Sequence, residues 1–148
     1  MSRGTIRKLR AAGVVTAMVT GLLGGVAVAP SSAVSWECDR GLWESRGGGD
    51  YIKIPHEWEP IKVNANCYVH QGARGGEVDA IQRALVKCYS QSIAIDGVFG
   101  DKTFAALKRA QRAAGVTADG KYGPKTRDAI KWPLYNEPTG KFKRCTRR

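Results

Sequence analysis

The chain has 148 residues, with 24 Lys and Arg against 13 Asp and Glu, and a formal net charge of +11. That length holds one modest domain with a real core and excludes most multi-domain enzymes. Met1 to Ala33 carry Arg3, Arg7, Lys8 and Arg10 and no acid, so residues 34–148 keep a net charge of +7.

Residues 1–33 read as an export signal. The first ten are basic, Ala11 to Ala29 are apolar or small, and Pro30-Ser31-Ser32-Ala33 supplies the small residues a signal peptidase accepts. Cleavage is expected after Ala33, because cleavage after Ala29 would put the Pro30 ring at the scissile bond. The alternative is an uncleaved anchor, since the apolar stretch approaches the roughly 20 residues that span a bilayer. Gly13, Gly21, Gly24 and Gly25 weaken that helix, so no stable membrane span is expected after cleavage.

Residues 34–67 are mildly acidic and hold Trp36, Trp43, Tyr51 and Trp58, the run Gly47-Gly48-Gly49, and Pro55 and Pro60. Turns and short extended pieces are expected, hence an irregular arm rather than a helix. The tryptophans pack under this arm or form a carbohydrate platform; packing is the expectation.

Residues 68–132 carry helical periodicity and an internal repeat. Val78, Ile81, Leu85 and Cys88 form one apolar stripe beginning after Gly75-Gly76-Glu77. Asp96-Gly97-Val98-Phe99-Gly100-Asp101-Lys102-Thr103-Phe104-Ala105-Ala106-Leu107 recurs 23 residues later as Asp119-Gly120-Lys121-Tyr122-Gly123-Pro124-Lys125-Thr126-Arg127-Asp128-Ala129-Ile130. In each copy Asp-Gly suits a tight turn, and the second Gly leads into a helix. Pro124 fits the first helical position, and Asp101 holds the same place in the first copy, where its charge favours the helix end. The second helix is expected from about Asp101 to Ala114, ended by Gly115, and a third from about Pro124 to Lys131. Residues 133–148 form a basic tail with Lys141, Lys143, Arg144, Arg147 and Arg148.

Cys38, Cys67, Cys88 and Cys145 are an even set in an exported chain, so two disulfides are expected. Three connectivities are possible. Cys67–Cys88 with Cys38–Cys145 is favoured, the first tying a loop to a helix end and the second clasping the two terminal arms.

Gly72-Ala73-Arg74-Gly75-Gly76-Glu77-Val78-Asp79-Ala80-Ile81-Gln82, then Asp96 to Gly100 with Thr103, Gln111, and Asp119 to Pro124 with Thr126, resemble in order and spacing the three-helix peptidoglycan-binding domain. The resemblance covers about Tyr68 to Trp132. It implies a mainly α three-helix bundle with two equivalent Asp-Gly-x-aromatic-Gly turns, flanked here by disulfide-tethered arms. It also implies an accessory module of secreted cell-wall hydrolases that binds peptidoglycan and carries out no reaction. Candidate ligand-binding residues are Asp96, Phe99, Thr103, Asp119, Tyr122 and Thr126. Turn geometry and core packing account for the same positions. A binding role would use the carboxylates, hydroxyls and turn amides, with Tyr122 stacked on an acetamido sugar face.

The other readings are a small wall hydrolase and a protein-binding regulator or inhibitor of wall enzymes. Four paired cysteines leave no thiolate nucleophile, and His56 and His70 lack a short metal-binding spacing. Glu57 and Glu59 sit in a Pro-flanked stretch that reads as a solvated loop. No metal or organic cofactor is implied. The basic tail suits anionic wall polymers or lipid headgroups, while export disfavours nucleic acid. The sequence therefore reads as a secreted, wall-associated, non-catalytic peptidoglycan-binding protein with a signal peptide (1–33), a Trp-rich arm (34–67), a binding domain (68–132) and a basic tail (133–148).

Overall fold

The computed structural model describes residues 36–60, 62–138 and 140–148, so the segment read as an export signal lies outside the described residues. The glycine run of the N-terminal arm is the turn of a β-hairpin. Strands β1 (Arg40–Gly47) and β2 (Asp50–Glu59) pair antiparallel, with Gly47 opposite Asp50. Gly48 and Gly49 between them have φ of 61° and 78°, the left-handed conformations that a two-residue hairpin loop needs to match strand twist. Along β2, buried Ile52 and Ile54 alternate with partly exposed Tyr51 and Lys53. Pro55 stands opposite Gly41 of β1, and on the other edge of β2 it lies between the residues that pair with β4 and those that pair with β3.

The remaining strands are β3 (Lys62–Asn64), β4 (Trp132–Tyr135) and β5 (Phe142–Thr146). All pairings are antiparallel; the sheet runs β1-β2-β4-β5, with β3 also paired to β2. This five-stranded sheet overturns the expectation of a mainly α bundle with irregular arms. Both arms fold into the sheet, the basic tail as its edge strand β5. The fold is α+β because β2 pairs with β4 across most of the chain, a contact that no local pattern encodes.

The helices follow local signals more closely. They are α1 (Gly76–Tyr89), α2 (Asp101–Ala114) and α3 (Pro124–Ala129). Gly115 caps α2 with φ of 75°, and α2 has the expected bounds. α3 stops short of Lys131 because Ile130 turns extended. Pro133 lies within β4 and biases Trp132 before it toward the same geometry.

α1 joins the two halves of the structure, packing against β1, β2 and β4 and against α2, which in turn meets α3. Its stripe of Val78, Ile81 and Leu85 meets Ile52, Ile54, Leu107, Ile130, Trp132 and Leu134 in one buried cluster. Each such side chain contributes roughly 1.5–3 kcal/mol by leaving water. Asp79 on α1 pairs at 2.8 Å with Lys53 of β2, which ties the helix to the sheet, and at 2.8 Å with Arg83 one turn along α1.

Both disulfides form, with a different pairing from the one favoured above. Cys38 bonds Cys67 and Cys88 bonds Cys145, with Cα separations of 5.1 and 5.7 Å. The N-terminal arm thus closes on itself, and α1 is tied to β5. The sheet is the reason: it brings β5 beside the end of α1 and leaves Cys38 near the end of its own arm. The tryptophans divide. Trp43 packs edge-on to Tyr135 with ring centroids 5.4 Å apart, whereas Trp36 and Trp58 keep 45% and 47% of their surface exposed.

Candidate functional site

Each repeated turn is organised by a buried glutamine from the preceding helix. Gln82 on α1 accepts at Oε1 from the Asp96 and Gly97 N–H groups, at 3.0 and 2.8 Å. Its Nε2 lies 2.8 Å from Asp96 Oδ1, 3.0 Å from the Val98 carbonyl and 3.1 Å from Thr103 Oγ1. Gln111 on α2 repeats the arrangement. Its Oε1 accepts from the Gly120 N–H at 2.8 Å, and its Nε2 faces Asp119 Oδ1, the Lys121 carbonyl and Thr126 Oγ1 at 2.9, 2.8 and 3.0 Å. In each turn the Asp carboxylate also accepts from the N–H two residues on, at 2.9 Å. Gly97 and Gly120 take φ of 69° and 74°, as an Asp-Gly turn requires.

These contacts locate the six candidate residues. Thr103 and Thr126 are buried, and their hydroxyls close the turns from within. Asp96 and Asp119 lie at the surface, with one carboxylate oxygen committed to the turn. Hydrogen bonds from Gln82 and the Val98 N–H hold the Asp96 carboxyl below its usual range. Phe99 and Tyr122 are fully buried, at 1% and 0% exposure. Tyr122 lies edge-on to Trp132 with centroids 6.1 Å apart, and its hydroxyl has no hydrogen-bond partner. Its ring therefore has no free face to offer a sugar, and the stacking expected of it is corrected to core packing.

An open cleft of about 410 Å³ borders the second turn, lined by Tyr68, Asp119, Lys121, Gly123, Lys125 and Thr126 among others. Its exposed aromatic is Tyr68, a residue the sequence reading did not single out. Tyr68 keeps 45% of its surface in solvent, and its ring lies directly over Gly123. A Cβ at Gly123 would come within 2.7 Å of that ring, so glycine is needed there for space, its φ of −164° being ordinary extended backbone. The Tyr68 N–H donates to the Trp36 carbonyl at 2.8 Å, and its carbonyl accepts from the Cys38 N–H at 2.9 Å. Val69 and Tyr122 exchange two backbone hydrogen bonds, of 3.1 and 2.9 Å, which join this strap to the second turn. The hint in the sequence was position: Tyr68 directly follows Cys67 and opens the segment read as the binding domain.

The first turn borders a separate depression of about 320 Å³ that includes Asp96, Asp101 and Lys102. Here Val98 occupies the place of Lys121, and Asp101 that of Pro124. The second cleft thus presents two lysines beside one acid, and the first presents two acids beside one lysine.

The histidines serve structure. His56 is buried, with Nδ1 3.0 Å from the Ile54 carbonyl and Nε2 3.0 Å from Glu44 Oε1. His70 is exposed between the Gln71 carbonyl and Glu37. The Gln71 carbonyl and then Glu37 raise its pKa. Among the described residues no three His, Cys, Asp or Glu side chains converge to hold a metal ion, and no helix is long and apolar enough to cross a membrane.

The paired turns, each closed by a helix-borne glutamine, coincide with a match of residues 74–130 to the family model for a peptidoglycan binding domain. Residues 74–130 belong to the peptidoglycan-binding domain family. Two Bacillus licheniformis proteins are similar to part of this chain. One is named "Probable N-acetylmuramoyl-L-alanine amidase", 43% identical over 60 residues, covering 36% of this chain and 17% of that one. The other is the N-acetylmuramoyl-L-alanine amidase CwlL, 36% identical over 62 residues, covering 40% and 17%. The chain thus spans about a sixth of the length of these relatives. Among solved structures, the SleB N-terminal domain is 36% identical with a TM-score of 0.39, covering 42% of this chain and 85% of that one. Tyr68, Cys38 and Cys67 fall outside the matched segment.

Proposed function

We propose that this protein is exported and binds peptidoglycan without catalysis, holding the wall through the open cleft beside the second turn. The observation that carries the reading is the family's paired-turn domain with an accessible, lysine-flanked cleft at its second turn. Export is supported by the basic-then-apolar start of the chain and by the two disulfides, which persist in oxidising compartments. The non-catalytic reading is supported by how the reactive side chains are used. All four cysteines are bridged, and both histidines are held by neighbouring carboxylates and carbonyls.

Co-sedimentation with purified cell walls tests this reading, run beside an assay for soluble wall fragments. Retention on walls with no fragment release is the expected result. Release of fragments would establish a hydrolase instead. Retention on a wall enzyme but not on bare walls would establish the regulator reading.

A further inference from the structure

We infer that the second-turn cleft selects an anionic part of its ligand: a sugar face against Tyr68 with a peptide-stem carboxylate held by Lys121 and Lys125. This rests on the wall-binding reading above and names the chemistry of that site. Carbohydrate rings present flat C–H faces that pack on an exposed aromatic, and Tyr68 is the exposed aromatic of the cleft. The ring is held in place before any ligand arrives. Its backbone is pinned on both sides, by Trp36 and by Cys38, and the adjoining Cys38–Cys67 bridge is buried. Such preorganisation lowers the ordering cost of binding.

Charge supplies the second half of the argument. Lys121 and Lys125 are exposed at the cleft and take part in no ion pair among the described residues. Asp119, the acid beside them, has Oδ1 occupied by Gln111 and the Lys121 N–H. Two ammonium groups and an aromatic wall meet a ligand that carries carboxylates next to acetamido sugars, which describes a peptide-substituted glycan. The first-turn depression has the opposite charge balance, so the two turns are alike in backbone and different in what they attract. Tyr68 lies outside residues 74–130, so the strap that precedes the family segment supplies the aromatic wall of the cleft.

The test uses the full chain and a soluble disaccharide–peptide released from peptidoglycan, titrated in its native form and with its carboxylates converted to amides. Amidation is expected to weaken binding about tenfold, as loss of a charge-assisted contact does. Lys121→Gln combined with Lys125→Gln should weaken the native ligand equally and leave the amidated one unaffected. Tyr68→Ala should weaken both forms, and Lys102→Gln at the first turn should weaken neither. All variants are surface changes, checked by their melting temperatures. Equal affinity for native and amidated ligand, or an equal loss from Lys102→Gln, would overturn the proposal. So would loss of binding to walls stripped only of phosphate polymers, which would identify those polymers as the partner. If the variants retain wall binding unchanged, the cleft assignment fails while wall binding stands; if the unaltered chain fails to sediment with any wall, the functional reading itself fails.

Discussion

At the scale of single residues, the two glutamines decide the form of the repeated turns. A primary amide carries, on one planar group, an oxygen that accepts from the turn N–H groups and an NH2 with two hydrogens to donate to the oxygens facing it. Gln82 is 1% exposed and Gln111 fully buried, so an unmet partner at either site has no water to turn to. Gln111→Glu replaces the donating nitrogen with a second acceptor facing Asp119, the Lys121 carbonyl and Thr126. A destabilisation of about 2–4 kcal/mol is expected from urea unfolding, with the second turn opening first in hydrogen exchange. Both glutamines stand in the motif that carries the family resemblance, yet their role is invisible there. Gln82 precedes its aspartate by 14 residues and Gln111 by 8, so an alignment of the two repeats never superposes them.

At the scale of elements, what can be read from sequence depends on where an element's determinants lie. α2 has both its ends marked locally, by Gly100-Asp101 and by Gly115, and it forms with the expected bounds. β4 is four consecutive buried residues including Pro133, with no alternation to distinguish it from a loop. Its partners on β2 are Tyr51 and Ile52, far back in the chain. β5 is an edge strand, and its Lys143 and Arg144 suit an edge that must not pair with another chain. Part of the basic tail's charge is also spent within the fold, since Lys143 pairs with Asp50 at 2.7 Å. The Cys88–Cys145 bridge holds β5 across a separation of 57 residues, a loop closure that stabilises by about 4 kcal/mol in the chain-entropy account. Its cysteines are partly exposed, whereas Cys38 and Cys67 are buried. Limited reduction followed by alkylation should therefore label Cys88 and Cys145 first, read by peptide mass spectrometry, and β5 amides should then lose protection.

At the scale of the whole molecule, Glu44 links the hairpin to the end of the chain. Its carboxylate takes two hydrogen bonds from Arg148, both 3.0 Å, and one contact from buried His56. Arg148 also lies 3.9 Å from Asp128 on α3. Burial alone would raise the Glu44 pKa, but the hydrogen bonds from His56 and Arg148 outweigh it and lower the value from 4.5 to about 2. A carboxyl depressed in the folded state contributes stability that is complete above its unfolded pKa and disappears as pH falls through the folded value. The wild-type protein should thus lose stability between pH 4.5 and about 2 more steeply than Glu44→Gln, as measured by urea midpoints across that range.

Sequence alone determined the helical segment of this protein. The Asp-Gly turns, the capping glycine, Pro124 and the apolar stripe of α1 act through neighbours three or four residues away, and such local chemistry is written where it operates. The even number of cysteines also pointed to two disulfides, and two form. Tertiary structure decided which cysteines pair, that both arms join one sheet, that Tyr122 turns inward, and that Tyr68 lies over Gly123 to wall the cleft. Each of those outcomes depends on residues remote in sequence meeting once the core has closed, and remote pairing leaves no period or motif to read.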